Sequence, residues 1–549
     1  MRPYLTLHQP ALARRYYASG HWAQQTLYGL LCSHAADRGQ SHAIRDGRQR
    51  LTWAALKVMV DRCAQRIAAL GITAGERVSI WSDNRLESVA LLLACSRNGV
   101  ACNPSLHRTH TAGEIVRLLD ELGSRLLLTS PGWGADGRPG QIAEALAHAQ
   151  SLRALWTPEM ISATVGDDAA QAPCADLSPP LDDPDKVVYL AFTSGTTGAP
   201  KCVMHSDNTL LANARDLVRD WRHGPDTRIA TLSPLSHHIA WVAVAQWLVA
   251  GCELITDDPP AGMGRLDWLI ETGASYVMGV PTHAMDILAE QKRRGLSRLG
   301  SVRMFYMAGA AIPPTVAAAF VEQGVTPQNV YGMTENSSHQ YTHPDDATET
   351  IVQTCGRGGP AYEVRLFDPA DDDREVPAGV VGQIGGRGAA LMLGYFGNQA
   401  ATEKSFNRDG WFLSGDLGVM DAQGNLKIEG RLKDLIIRGG HNIYPASIEA
   451  LALRHAAIEK CAVFPVADER LGERVCLAVI GSIDAAAALA HLAREGLSRY
   501  DMPEYFLRVD AFPLTASGKI LKRELVEMVR QGALVPMPVR YDPEKENHR

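Results

Sequence analysis

The sequence predicts an α/β protein: a large N-terminal domain of layered sheets covered by helices, with a β-rich subdomain, followed by a small α+β C-terminal domain. Three observations lead there. The chain has 549 residues, too many for one hydrophobic core. Short β-prone runs alternate with helical patterns over most of its length, and such alternation favours sheets packed under helices. Around Gly379 the texture changes to "AGVVGQIGGRGAALMLGYFGN", rich in Gly with short β-prone runs, as expected of a small β subdomain.

Taken in order, "LTWAALKVMVDRCAQRIAALG" has apolar residues at helical spacing and ends on Gly71, "ERVSIWS" reads as a strand, and "ESVALLLACSRNGV" returns to helix. The runs "RIATLSPL", "CELIT", "SYVMGVP" and "VRMFYMAGA" read as strands, with helices at "AWVAVAQWLVAG" and "DWLIETGA". No fixed-period repeat is visible, which disfavours a solenoid. Beyond "GRLKDLIIRGGHNIYP" the chain holds helices at "PASIEALALRHA" and "IDAAAALAHLAREG" and strands at "KCAVFPVA", "RVCLAVIGS" and "YFLRVDAFP". That is enough for a domain of its own. The boundary is set near Lys433, dividing the chain into 1–432 and 433–549.

Apolar residues make up 46% and charged residues 21%, the balance of an ordinary folded protein. The formal charge of -7 carries no basic bias of the kind that nucleic-acid binding needs. A polyanionic ligand must therefore be met by local Lys, Arg and backbone N–H groups. The opening "MRPYLTLHQPALARRYYASGHW" lacks a secretory apolar segment, and no stretch is apolar enough for a membrane span. Ten Cys are scattered singly with no Cys-x-x-Cys pair, which reads as reduced thiols in a cytoplasmic protein.

The chemistry begins at "VYLAFTSGTTGAPKCVMHSD". A Walker-type loop fails here, because Lys201 is preceded by Pro200 and followed by Cys202, and the dinucleotide fingerprint is also absent. Gly195 and Gly198 let the backbone turn its N–H groups toward one point, as in anion-binding nests. Hydroxyls of Thr193, Ser194, Thr196 and Thr197 add donors, and Lys201 a cation. A Gly/Ser/Thr run on its own is also the composition of a surface loop. Its place directly after the apolar "KVVYLAF" argues for an anchored cradle, and local chemistry leaves both readings open.

"TSGTTGAPK" resembles the phosphate-binding signature of the adenylate-forming superfamily, which includes acyl-CoA synthetases, aryl-acid ligases and peptide-synthetase adenylation domains. The resemblance continues in order. "PLSHHIAW" looks like the acyl-site segment, with His237 at the His and Ala240 in place of a Gly. "MAGAAIPP", with Gly309, Ala310 and Ala311, resembles the segment that passes the adenine and the acyl group. "VYGMTE" supplies Tyr331, Gly332, Thr334 and Glu335. "WFLSGDLG" carries Asp416, "GRLKDLIIRGG" carries Arg431 and the hinge position Lys433, and "PLTASGKI" carries Lys519.

The resemblance implies an ATP-dependent enzyme that makes a carboxylic acid into an acyl-adenylate with release of pyrophosphate, then transfers the acyl group to CoA. Thr193 to Lys201 would cradle the leaving phosphates, Glu335 would hold Mg²⁺, and Thr334 would contact the α-phosphate. Tyr331 would stack on adenine, while Asp416 and Arg431 would grip the ribose. Lys519 would bridge the carboxylate and α-phosphate. The small domain is implied to be mobile, swinging about Lys433 to bring Gly439 and Gly440 to the pantetheine arm. His237 would line the acyl pocket, joined by Trp241, Met278, Gly279, Ala310 and Asn336, a set that suits a compact cyclic, aryl or short-to-medium-chain acid. His238 reads as structural. Zinc at His237 and His238, or at His339 and His343 at helical spacing, is disfavoured because no third ligand follows.

The N-terminal "RRYYASGHWAQQTL" resembles openings of ligases for cyclohexanecarboxylate and aryl acids. No carrier-protein segment follows Lys519, which favours free CoA as acceptor. An aryl-acid ligase serving a separate carrier protein and a non-catalytic nucleotide-binding relative stand as alternatives, with a luciferase-like oxidase a remote third. A homodimer is compatible with all of them.

Overall fold

In the computed structural model, the residues described are 9–136, 143–144, 146–163, 178–193, 200–310, 312–514 and 520–541. Ser194, Gly195, Thr196, Thr197, Gly198, Ala311 and Lys519 lie outside them.

The chain packs into two units. The larger holds residues 1–363 and 386–406, and the smaller holds 364–385 and 407–549. By packing, residues 364–385 group with the C-terminal part, while 386–406 group with the N-terminal part. Sequence texture marks where composition changes, whereas packing follows which strands share a sheet.

Among the described residues the larger unit is built on two sheets, one eight-stranded and one seven-stranded. The eight-stranded sheet runs in the order Ser337–Tyr341, Thr326–Met333, Met304–Ala308, Tyr276–Gly279, Arg228–Thr231, Glu253–Thr256, His42–Arg45, Arg50–Thr52. Its inner pairings are parallel and each end is closed by an antiparallel strand. The central strands Tyr276–Gly279 and Met304–Ala308 are almost wholly apolar, as suits strands covered on both faces. Tyr276, Met278 and Tyr306 join the core that contains the helices Trp53–Ala69, Leu86–Asn98 and His238–Ala250, while Val277, Phe305 and Met307 join the core on the opposite face. The same helical core takes Val78, Ile80, Leu126 and Tyr189 from the seven-stranded sheet. Helices are thus sandwiched between two sheets, with the paired indoles of Trp53 and Trp247 stacked 4.9 Å apart at the centre.

The helix Leu86–Asn98 shows what such a position demands: twelve of its thirteen residues are buried, Glu87 included. That carboxylate is held by Arg85, 2.8 Å away, because a charge in this setting must be paired.

In the smaller unit, described by itself, one five-stranded antiparallel-rich sheet includes Phe412–Met420 and Leu426–Arg431. A six-stranded sheet is dominated by the long pair Ile458–Asp468 and Gly472–Gly481. Helices Pro445–Ala452 and Ala485–Arg494 pack on that pair through Ile448, Ala452, Leu489 and Leu492. Among the described residues no helix is long and apolar enough to cross a membrane.

Candidate active site

The Gly/Ser/Thr stretch is flanked by two paired strands. Strands Val187–Thr193 and Lys201–Ser206 run antiparallel with Thr193 directly opposite Lys201, and the Thr193 hydroxyl donates to the Lys201 carbonyl at 3.3 Å. The preceding residues Val188 to Ala191 are buried, so both ends of the stretch are anchored in the core. The Lys201 ammonium sits 4.6 Å from the centroid of the Tyr395 ring. Tyr395 lies on a short strand that pairs with the Lys201 strand, and its phenol donates to Glu335 Oε1 at 2.9 Å. Burial, reinforced by Glu335, pushes the Tyr395 pKa upward, so the phenol stays a donor. Lys201, Tyr395 and Glu335 therefore form one line from that strand pair to the acidic turn.

That turn joins Thr326–Met333 to Ser337–Tyr341, which run antiparallel. Glu335 is 9% exposed, and its carbonyl accepts from the Met392 N–H at 2.7 Å. The neighbouring Thr334 carbonyl lies 2.6 Å from His205 Nε2. A carbonyl can only accept, so His205 carries its proton on Nε2 and leaves Nδ1 facing the Thr209 hydroxyl at 3.0 Å. Burial lowers the His205 pKa to about 4, which keeps the ring neutral and the tautomer fixed. Gly332 is required at the turn, because a Cβ there would lie 1.8 Å from the Ser337 carbonyl oxygen. Ser337 itself adopts a left-handed φ of 56°.

Tyr331 stands edge-on to His339, with centroids 5.4 Å apart, and His339 packs at 4.3 Å against Tyr362. His339 is 2% exposed, and neither of its ring nitrogens has a hydrogen-bond partner. It belongs to a strand and not to a helix, so the spacing that would align it with His343 does not exist. Among the described residues no group of three His, Cys, Asp or Glu could hold a metal ion.

His237 caps the N-terminus of helix His238–Ala250. Its loop is pinned from several sides: the Leu235 N–H donates to Asn84 at 2.9 Å, the Trp241 indole donates to the Leu235 carbonyl at 2.5 Å, and the Ser236 hydroxyl lies 3.2 Å from Nδ1 of both His107 and His237. His238 is engaged at both nitrogens, 3.1 Å from the Tyr189 phenol and 3.0 Å from the Ser337 hydroxyl, and stacks on His205.

The expected pocket residues divide. Trp241, Met278 and Asn336 are buried, each committed to the protein's own groups: the Leu235 carbonyl, the Gln246 amide, and the Met333 N–H with the Tyr362 phenol. Gly279 closes against His283, whose Nδ1 lies 2.9 Å from where a Cβ would be. Gly309, with φ 87°, and Ala310 are exposed past the end of strand Met304–Ala308.

In the smaller unit, Asp416 and Arg431 are partners across an antiparallel pair, with Arg431 Nε 3.3 Å from Asp416 Oδ1. Lys433 falls in the single 3-10 turn Leu432–Asp434 that follows. Gly439 and Gly440, with φ of 59° and 86°, make the two-residue turn of the hairpin pairing Arg438 with His441. Two successive left-handed residues are what such a turn needs.

A family model described as AMP-binding enzyme matches residues 32–396, and one described as AMP-binding enzyme C-terminal domain matches 447–519. The chain belongs to the AMP-binding enzyme family. Within it, a feruloyl-CoA synthase from Amycolatopsis sp is 32% identical over 494 residues, spanning 88% of this chain and 95% of the relative. Enterobactin synthase component E of Escherichia coli is 29% identical, over 93% of this chain and 96% of its own. Among solved structures, ATP-bound MatB from Rhodopseudomonas palustris superposes with a TM-score of 0.80 at 26% identity, covering 92% of this chain and 99% of the other.

Several residues that hold the candidate site together carry no local signal. His205 reaches Thr334 across 129 residues of sequence, and Asn84 reaches Leu235 across 151. Tyr395 sits in "LMLGYFGN", which reads only as Gly-rich strand.

Proposed function

We propose that this chain is an ATP-dependent, AMP-forming acyl-CoA synthetase that uses the residues described above. The observation that carries the reading is the line from Lys201 through Tyr395 to Glu335, which ties the strand pair flanking the Gly/Ser/Thr stretch to the acidic turn. A carboxylate is a poor acyl donor until its oxygen gains a leaving group, and attack on the α-phosphorus of ATP supplies AMP as that group. The protein's task is then to position the reactants and offset negative charge. Lys201 and the stretch from Thr193 engage the leaving pyrophosphate, Thr334 meets the α-phosphate, Tyr331 faces adenine, and Asp416 with Arg431 holds the ribose. Lys519 bridges the carboxylate and the α-phosphate, and the domain from Lys433 onward turns about that residue for the thioester step.

Glu335 fits Mg²⁺: a nearly buried carboxylate, oriented by a phenol, suits an ion that is held by one or two carboxylates together with substrate phosphates. When bound there, the ion neutralises phosphate oxygen charge. The acid is a compact cyclic, aryl or short-to-medium-chain carboxylate, and free CoA is the acceptor. A reducing cytoplasmic setting suits the buried thiols.

A panel of carboxylic acids read by pyrophosphate release, with and without CoA, tests the proposal. The expected result is AMP and pyrophosphate formed in step with one thioester. An acyl-adenylate that persists in excess CoA points instead to delivery to a separate carrier protein. ATP binding without ATP/pyrophosphate exchange overturns both. Lys519→Ala is expected to lower adenylation by a factor on the order of a hundred or more while sparing thioester formation from synthetic acyl-adenylate. Equal loss of both half-reactions excludes the two-conformation assignment.

A further inference from the structure

The strand Lys201–Ser206 meets the acidic turn between Met333 and Ser337 at two places. Side chains on one face of a strand recur at every second residue, so Lys201, Val203 and His205 share a face. Tyr395, paired with Val203 on the neighbouring short strand, lies on that face too. Lys201 reaches the turn indirectly, its ammonium 4.6 Å from the centroid of the Tyr395 ring, whose phenol donates to Glu335 Oε1 at 2.9 Å. His205 reaches it directly, with Nε2 2.6 Å from the Thr334 carbonyl oxygen.

Chemistry fixes the direction of the second contact. A carbonyl has no proton to give, so Nε2 carries the hydrogen whether the ring is neutral or charged. The other ring nitrogen lies 3.0 Å from the Thr209 hydroxyl, which receives the Ser206 N–H at 2.9 Å in the first turn of helix Asp207–Asp220. His238 stacks on the same ring at 5.5 Å and lies 3.0 Å from the Ser337 hydroxyl at the far end of the turn. The imidazole of His205 is thus held from behind and from one face, with its N–H toward Thr334.

Three successive carbonyls of the turn accept from three different places. Met333 takes the Asn336 N–H at 3.3 Å, Glu335 takes the Met392 N–H at 2.7 Å, and Thr334 takes the imidazole of His205. The first two donors are backbone, which any sequence supplies. The third is a side chain, and a substitution at position 205 removes it. The carbonyl it holds belongs to the rigid peptide plane between Thr334 and Glu335, and rotation of that plane changes the dihedrals that aim both residues.

We propose that His205 is a positioning residue for the nucleotide phosphate: its Nε2–H fixes the peptide plane between Thr334 and Glu335, so that the turn keeps register with the strand that carries Lys201. The proposal rests on the assignment of Thr334 to the α-phosphate made above. It adds a residue outside that set of contacts, 129 positions earlier in the sequence, through which one strand places both the lysine and the turn.

Calorimetric titration of the full chain with AMP and with adenosine tests this for any acid, because the two ligands differ only in the phosphate that Thr334 meets. The wild type should bind AMP more tightly than adenosine. His205→Leu, which removes the donor, should narrow that preference by about tenfold and leave adenosine affinity unchanged. His205→Gln, whose amide N–H reaches the place of Nε2, should recover most of the preference. His205→Asn keeps a polar group near Thr209 but falls short of Thr334, so it should behave as His205→Leu does, and its contrast with His205→Gln decides the matter where the leucine variant fails to fold. A preference unmoved by the loss of the donor, equal losses for AMP and adenosine, or no recovery with glutamine would each overturn the proposal. A wild type that binds adenosine as well as AMP overturns the assignment of Thr334 to the phosphate, and the proposal with it.

Discussion

The two units handle their titratable groups in opposite ways. In the larger, histidines go inside and stay neutral: His205, His223 and His339 are each less than 9% exposed, and burial lowers their pKa values to about 4, 4 and 3. His223 and His339 have no partner at either nitrogen and lie against Tyr276 and Tyr362 as if they were aromatic hydrocarbons. In the smaller unit, charges stay partly in water and are paired: Arg438 grips Glu504 through two nitrogens at 2.8 and 3.0 Å, and Arg474 meets the same carboxylate at 3.2 Å. The larger unit has ion pairs too, Lys186 with Asp207 at 2.7 Å in its interior and, nearer the surface, Glu76 shared by Arg125 at 2.8 Å and Arg153 at 3.1 Å. What distinguishes the larger unit is a layer of helices between two sheets, wide enough to take up imidazoles that have no hydrogen-bond partner.

Acid breaks this symmetry most strongly. A histidine whose folded pKa lies below its unfolded value of 6.5 takes up no proton where the unfolded chain does, so its effect is absent above pH 6.5 and grows as pH falls toward the folded pKa. By pH 4.5 each of the three opposes folding by about 2–3 kcal/mol, and together they rival the whole stability of an ordinary domain. The larger unit should therefore unfold first. Tryptophan fluorescence reads this directly, because nine of the ten tryptophans precede residue 363 and only Trp411 belongs to the smaller unit. A smaller unit that melts first in acid would show that the comparison is drawn the wrong way.

The next effect is in the smaller unit. Glu449 accepts from Lys522 at 2.7 Å and from the Val463 N–H at 2.6 Å. Glu449→Ala leaves a half-buried ammonium and a backbone donor without their acceptor, at a cost on the order of 2 kcal/mol. Calorimetry should show the later-melting transition shifted down and the earlier one unmoved.

The smallest change is expected to raise stability. His339→Phe removes two buried nitrogens that have no partner and keeps a ring between Tyr331 and Tyr362, so the larger unit should gain about 1 kcal/mol at neutral pH and more in acid. Urea unfolding at pH 7 and pH 5 measures both. A loss at pH 7 would mean that the imidazole is needed for more than its shape.

How much of this was legible depends on the range of the interaction. The helix from Trp53, the strand from Arg77 and the helix from Leu86 lie where their apolar periods put them, because period is a local property. The strand ending at Thr193 follows from the apolar run "KVVYLAF", whereas its antiparallel partner from Lys201 carried no signal that was read. The pairing of Asp416 with Arg431 needed a resemblance to a family, since nothing local brings residues 15 apart to face each other. His205 at Thr334, Asn84 at Leu235 and Ser236 at His107 were beyond reach, because they depend on how two sheets close over one layer of helices. The same limit misleads about Trp241, Met278 and Asn336: their residue types suit a ligand pocket, and only packing reveals that their polar atoms or sulfur are already spent on the protein.

Gly332 has a consequence for how this enzyme can diversify. With 1.8 Å between a would-be Cβ and the Ser337 carbonyl, the acidic turn has no slack for a different backbone. Substitution meets a fixed point at the turn, whereas exposed positions such as Ala310 have room to vary. Selection on this chain can therefore reshape side chains around the turn more readily than the turn itself.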